Sequence, residues 1–253
     1  MVMDAMIDDS AHQAVKKPIR SRLLVSVRSL EEAAIVAGLN IGILDLKEPS
    51  LGALAPCALH VWQSVAAEWS GKVPLSAALG EFEDARRLTR MVPESFTYAK
   101  MGPAGCGSID ELKRRWSVIR KQLPEAVALV AVAYADHQAA ECPPPLEVFK
   151  AASQCHLKTW LVDTFQKTGR TTLDHLTMQE LTAIADLSGS CGTAWVLAGS
   201  IKLSVISHLR DAGLSPNWFG VRGDICDHLR TGKVMASRVR EWLDSLSICG
   251  NQA

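Results

Sequence analysis

The chain has 253 residues, 48% of them hydrophobic and 21% charged, which suffices for one large α/β domain or two small ones. Lysine plus arginine and aspartate plus glutamate stand at 27 each, so no basic field favours nucleic acid or a polybasic membrane contact. Seven cysteines (Cys57, Cys106, Cys142, Cys155, Cys191, Cys226, Cys249) are scattered and form no C-x-x-C pair, which weighs against a disulfide framework or a zinc site.

Residues 1–20 carry three acids before any basic residue and lack an apolar core, so they read as a loose polar tail rather than a secretory signal. The longest apolar run, Ala126 to Ala135, is ten residues, far short of the ~20 needed to span a bilayer. A cytoplasmic enzyme without metal or cofactor is the expectation.

From Leu23 onward, apolar runs of strand length alternate with segments of helical period. Leu23 to Val27 is a first strand, and Ser29-Leu30-Glu31-Glu32 caps a helix that ends near Gly38. Ile41 to Lys47 is the second strand, followed by the helix Ala55 to Trp69. Val73 to Leu79 precedes the helix Glu83 to Met91, and Phe96 to Met101 precedes Ile109 to Gln122. Val127 to Tyr134 precedes a helix that follows the Pro143-Pro144-Pro145 turn and runs to about Cys155. Thr159 to Phe165 precedes Thr172 to Leu187. Ala194 to Ala198 precedes Leu203 to Ala212, and Trp218 to Arg222 precedes Val234 to Leu246. The tail from 248 to 253 reads as frayed. Parallel strands need helical crossovers, so eight such units over residues 21–247 predict an α/β fold, a single (β/α)8 TIM barrel. An open doubly wound sheet is the rival, but no G-x-G-x-x-G follows the first strand.

Charges then sit where strands should be buried. Side chains alternate along a strand, so Ile43, Asp45 and Lys47 share a face, and Pro49 and Gly52 leave Lys47 at the carboxyl end. Lys100 ends the fourth strand, on the parity of Phe96 and Tyr98. Asp163 and Lys167 share parity on the sixth. Barrel chemistry is expected at strand carboxyl ends, so three lysines and two carboxylates converge on one rim. Each ammonium disfavours protonation of the next, and desolvation pushes the same way. A lysine so depressed is an amine nucleophile able to form a Schiff base with a carbonyl. A structural Asp45–Lys47 ion pair is the plain alternative. Asp136 and His137 end the fifth strand, where an Asp often caps the next helix and a lone His is usually just hydrogen-bonded.

A second cluster follows strands seven and eight: Gly199, Ser200 and Lys202, then Arg222, Gly223 and Asp224. Glycines let backbone N–H groups approach an anion, and barrels that act on phosphorylated substrates commonly hold phosphate here. Tight turns alone also account for Gly199 and Gly223. Asp224 is awkward beside a phosphate and is read as orienting Arg222 or capping the next segment.

The motifs LLVSVRS, ILDLKEPSLGALA, YAKMG, VAVAYAD, LVDTFQKTG, VLAGS and FGVRGDIC, spread over residues 22–240, resemble the (5-formylfuran-3-yl)methyl phosphate synthase family of methanofuran-type cofactor biosynthesis. The resemblance implies a TIM-barrel lyase that condenses two molecules of glyceraldehyde 3-phosphate to a furan aldehyde phosphate, losing phosphate and water. It implies Lys47 as the Schiff-base lysine, Lys100 as general acid/base, and Asp45, Asp163 and Lys167 as supporting residues. Gly199, Ser200, Arg222 and Gly223 are the expected phosphate-binding residues. The expected partner is a small-molecule triose phosphate, with no nucleic acid and no membrane. A homo-oligomer is the expected assembly, and Trp62, Trp69, Trp116 and Trp242 can pack on the barrel or on another subunit. Other Schiff-base barrels, of deoxyribose-phosphate aldolase or dehydroquinate dehydratase type, and a non-catalytic phosphate-binding subunit are the competing readings.

Overall fold

In the computed structural model, which describes residues 21–247, strands and helices alternate through eight units. They are β1 (Arg22–Val27), α1 (Leu30–Val36), β2 (Ile43–Leu46), α2 (Leu59–Trp69), β3 (Leu75–Ala78), α3 (Phe82–Leu88), β4 (Tyr98–Met101), α4 (Ile109–Arg120), β5 (Ala128–Tyr134), α5 (Pro145–Gln154), β6 (Thr159–Asp163), α6 (Met178–Cys191), β7 (Ala194–Leu197), α7 (Val205–Asp211), β8 (Trp218–Val221) and α8 (Ala236–Ser247). Each strand pairs in parallel with the next, and β8 pairs with β1, so the sheet closes as a barrel with no edge. The tails expected at residues 1–20 and 248–253 lie outside the described residues.

Four helices begin later than their apolar pattern predicts, α7 and α8 by only two residues and α2 and α6 by more. α2 starts at Leu59, because Ala53 to Ala58 form the loop that returns from the β2 end; Glu48 N–H donates to Ala55 O at 2.8 Å there. α6 starts at Met178, where Thr177 and Glu180 form a reciprocal capping box. The stretch Thr172–Asp174 upstream is a separate 3-10 turn. Phe96 also departs from expectation. It precedes β4 and packs outside the barrel against Trp62, with ring centroids 6.5 Å apart, rather than sharing the inward face of Tyr98.

The apolar core is divided by the barrel wall. Outward strand residues such as Val25, Leu44, Leu46, Ala99 and Val162 pack against the helices. Inward residues, including Leu24, Ile43, Val130, Val132, Leu161 and Val196, fill the lumen with Tyr98 and Trp218. Each such side chain contributes roughly 1.5–3 kcal/mol on burial. Trp218 plugs the amino-terminal end so closely that a Cβ on Gly42 would meet its ring at 2.8 Å. Trp62, Trp116 and Trp242 are fully covered by their own chain, so these three indoles are not an interface.

At the other end the lumen filling stops. The inward positions of β7 and β8 there are Ala198 and Gly220, packed so tightly that a Cβ on Gly220 would come 2.8 Å from that of Ala198. Small residues on that wall and charged residues on the opposite one leave a cavity of about 670 Å³ at the strand carboxyl ends.

Candidate active site

Lys47 lies one residue beyond β2, yet the ladder continues through it: its N–H donates to Val27 O at 3.0 Å. The alternation therefore holds, and Asp45 and Lys47 both face the lumen. Asp45 is completely buried below the cavity floor, where Ser26 Oγ of β1 donates to its Oδ2 at 2.9 Å. Lys100 of β4 places Nζ 2.6 Å from Asp45 Oδ1. The residue beside Lys100 across the sheet is Ala78, a side chain short enough to leave that path open.

On the facing wall Asp163 closes β6. Its Oδ1 accepts from Thr164 N at 2.7 Å and from Lys167 Nζ at 2.8 Å. Lys167 also donates to Thr164 O at 2.6 Å and Thr164 Oγ1 at 2.9 Å, so all three of its protons are used. Asp136 holds this loop in place. Its two oxygens accept from Phe165 N at 2.6 Å and Gln166 N at 2.8 Å, so it caps the loop after β6 rather than the helix that follows β5. His137 Nδ1 is buried with no hydrogen-bond partner among the described residues.

Three ammonium groups thus meet two carboxylates. Lys100 takes Asp45 and Lys167 takes Asp163, while Lys47 Nζ comes no closer than 3.9 Å to Asp163 Oδ2. Burial is the main force lowering the Lys47 pKa, Lys167 and Lys100 add to it, and Asp163 and Asp45 resist; the outcome is about 8. The simple Asp45–Lys47 ion pair does not form, because Lys100 occupies Asp45. Burial acts to raise the Asp163 pKa, but Lys167, Lys47 and the Thr164 N–H outweigh it and hold the carboxyl at about 2.

The other side of the cavity is lined by the turns that follow β7 and β8. Gly199 has φ +87°, and a Cβ there would lie 2.1 Å from Thr172 Oγ1. Ser200 follows at φ +56°, also left-handed. Among the described residues no acceptor takes the backbone N–H of Gly199, Ser200 or Gly223, and all three residues line the cavity.

Arg222 departs from its expected phosphate role. Its guanidinium is buried, with Nη1 and Nη2 on the two oxygens of Glu32, Nη1 also on Ser26 O at 3.2 Å, Nη2 on Gly232 O at 2.9 Å, and Nε on Arg230 O at 2.8 Å. All five donors are spent on protein, so it ties α1, β1 and the loop after β8 together instead of offering an edge to a ligand. Asp224 neither orients Arg222 nor caps its own turn: its Oδ2 accepts from Leu203 N at 2.9 Å and Trp242 Nε1 at 3.0 Å.

Three further features carried no assignment from the sequence. Ser26 is a polar residue at the end of the first strand, with the right parity for the lumen, but nothing local ties it to a role. Glu81, after β3, accepts from Tyr134 Oη at 2.6 Å and Ala104 N at 2.8 Å, and burial raises its pKa. Arg230 reaches the cavity from a loop well beyond β8, where no strand parity announces it. Among the described residues no three His, Cys, Asp or Glu side chains gather to hold a metal ion, and no helix is long and apolar enough to cross a membrane.

A closed (β/α)8 barrel with lysine–carboxylate pairs at its carboxyl-terminal mouth defines a TIM-barrel enzyme. The chain belongs to the 4-HFC-P synthase family, whose model matches residues 23–243. It is similar to proteins named (5-formylfuran-3-yl)methyl phosphate synthase, a family of methanofuran biosynthesis. The one from Methanosarcina barkeri is 27% identical over 228 residues, covering 87% of this chain and 97% of that protein. The one from Methanococcus maripaludis is 29% identical over 234 residues, covering 87% and 96%. Among solved structures, the fold is similar to phosphoribosyl anthranilate isomerase from Thermus thermophilus, with TM-score 0.57 at 15% identity over 90% of this chain and 99% of that one. It is also similar to KGPDC from Streptococcus mutans, with TM-score 0.59 at 12% identity over 90% and 98%.

Proposed function

We propose that this chain is a (5-formylfuran-3-yl)methyl phosphate synthase that condenses two molecules of glyceraldehyde 3-phosphate through a Schiff base on Lys47. The observation that carries the reading is the unequal pairing in the mouth. Two lysines are held by carboxylates, and the third, Lys47, is buried with no acceptor within hydrogen-bond distance among the described residues and a pKa near 8. An amine in that state attacks a carbonyl at neutral pH. Membership of the family and the names of its relatives support the choice of reaction.

In this reading Lys47 adds to one triose carbonyl, and loss of water gives the imine. Lys100, backed by Asp45, moves the α-proton to form the enamine. The enamine carbon bonds to the second aldehyde. Asp163 and Lys167 then assist elimination of one phosphate and the remaining dehydration. One phosphate and two waters balance the atoms between two trioses and one furan aldehyde phosphate, and aromatisation draws the sequence forward. The N–H groups of Gly199, Ser200 and Gly223 hold a substrate phosphate.

Incubation with glyceraldehyde 3-phosphate alone tests this. An ultraviolet-absorbing furan, an equivalent of released phosphate and a borohydride-stable adduct on Lys47 are the expected products. An adduct on another lysine, or an open-chain aldol without furan, overturns the assignment.

A further inference from the structure

The reaction proposed above brings two phosphate monoesters into one cavity, and each carries about −1.5 to −2 charge at neutral pH. The cup of Gly199, Ser200 and Gly223 accounts for one. The cations that line the cavity are mostly committed elsewhere: Lys100 to Asp45, Lys167 to Asp163 and Thr164, Arg222 to Glu32 and three carbonyls. Arg238 donates to Cys226 O, and Lys202 is exposed to solvent.

Arg230 is different. It is half-buried, lines the cavity, and among the described residues makes one side-chain hydrogen bond, from Nη2 to Gly52 O at 2.8 Å. That bond fixes the guanidinium across the gap between the loop after β8 and the loop after β2, the loop that begins at Lys47. The backbone of Arg230 is fixed too, since its carbonyl accepts from Arg222 Nε. Gly223 lies beneath it, where an added Cβ would rest 3.5 Å from the Arg230 Cβ. The side chain is therefore anchored at both ends of its reach with donors left over, which is how a planar fork is prepared for a phosphate.

We propose that Arg230 binds the second phosphate, at the β2–β8 edge of the mouth. Arg222, the arginine nearer the strand end, has no donor left for a phosphate and instead helps hold the backbone from which Arg230 projects. The proposal rests on the triose-phosphate reading for its substrate class. Its test does not require the chemistry to occur.

Glycerol 3-phosphate has the phosphate but no carbonyl, and its binding to the purified chain is measured by calorimetry. For wild type two sites are expected. Arg230→Gln is expected to lose one of them or weaken it roughly 10- to 100-fold, and Arg230→Lys, which keeps the charge but not the fork, to lie between. Equal binding by wild type and Arg230→Gln overturns the proposal. If Arg230→Gln melts well below wild type, Arg230→Lys decides, and undiminished affinity in that variant at both sites overturns it equally. A second readout uses borohydride trapping on Lys47 with glyceraldehyde and with glyceraldehyde 3-phosphate. Arg230→Gln should lower labelling by the phosphorylated aldehyde alone; an equal fall for both signals a structural role and overturns the proposal. Absence of any Lys47 adduct in wild type, with glycerol 3-phosphate still bound through Arg230, would count against the Schiff-base reading and leave the phosphate site standing.

Discussion

Lys47 Nζ stands 3.9 Å from Asp163 Oδ2, while Lys167 holds the other oxygen of the same carboxylate at 2.8 Å. One aspartate thus sits between two ammonium groups and satisfies only one of them. The arrangement leaves a single net positive charge among these five side chains, on the residue nearest to losing it. In the proposed reaction an anionic substrate meets that charge on entry, and Lys47 is the amine that attacks it.

Lys47→Met removes the proposed nucleophile and replaces a buried cation with an apolar side chain of similar length. Turnover should fall by at least roughly 10³-fold, as for loss of other covalent nucleophiles. Stability should hold or rise by about 1 kcal/mol, because the desolvation cost disappears while the other two ion pairs persist. Urea denaturation alongside furan absorbance separates the two effects. Full activity in this variant rules out the imine.

The depressed pKa sets a pH profile. Lys47 releases its proton near pH 8 in the folded chain and near 10.5 when unfolded. Below pH 8 both states carry the proton and the burial penalty is felt in full. Between 8 and 10.5 the unfolded chain binds more protons, so this residue's contribution to stability rises with pH by about 3 kcal/mol across that window. The neutral amine grows tenfold per unit up to pH 8 and then levels, so kcat/KM should climb with unit slope and flatten near 8. A profile flat from pH 6 to 9 contradicts the assignment.

Asp163→Asn tests the shared carboxylate. Asp163 titrates at about 2 against an ordinary 3.8, so its stabilisation is complete above pH 4 and is lost as pH falls toward 2. The amide leaves buried Lys47 and partly buried Lys167 without their shared counter-charge, and the variant should lose about 3 kcal/mol. It should also move the trapping profile of Lys47 to lower pH, because the group that most raises the Lys47 pKa is gone. A shift to higher pH would mean that Asp163 does not support the Lys47 ammonium.

The barrel was legible because its eight inward faces obey strict alternation, and Lys47, Lys100 and Asp163 lie on or beside strands where parity predicts direction. Parity failed where the chain leaves the sheet. Phe96 shares the numbering parity of Lys100 but precedes β4, so its ring points outward to Trp62. Arg222 looked like a phosphate ligand because it adjoins a glycine after β8. Its true partner, Glu32, lies 190 positions away in sequence on α1, and no local pattern couples the two. Arg230 was invisible for the same reason: its place over the mouth depends on a bond to Gly52 in the loop after β2, far away in sequence.

The Glu32–Arg222 pair should therefore behave as a structural unit. Glu32→Gln strands a buried guanidinium and should cost about 3–5 kcal/mol. A double-mutant cycle with Arg222→Met should show the two residues strongly coupled, since each single change leaves a buried charge without its main partner and the double change removes both charges. The readout is urea denaturation at fixed pH. Additive losses would mean that the two side chains act independently and that Arg222 is free for another partner.

Gly199→Ala probes the anion cup through packing rather than charge. At φ +87° any side chain is strained, and this one would enter within 2.1 Å of Thr172 Oγ1 and 3.0 Å of Thr164 N. Thr172 cannot swing away freely, because its hydroxyl donates to Ala198 O at 2.6 Å and its N–H to Gly199 O at 2.9 Å. The loop must move, and the cost should be about 2–4 kcal/mol from strain and overpacking together. Movement also displaces the Gly199 and Ser200 N–H groups, so KM for glyceraldehyde 3-phosphate should rise about tenfold or more, in line with a lost charge-assisted hydrogen bond. Thr172→Ala in the same chain removes the closest clash but not the φ strain or the Thr164 contact. It should recover part of the stability and part of the KM. Recovery of stability without any recovery of KM would separate the turn from the phosphate, and the cup would have to be placed elsewhere in the mouth.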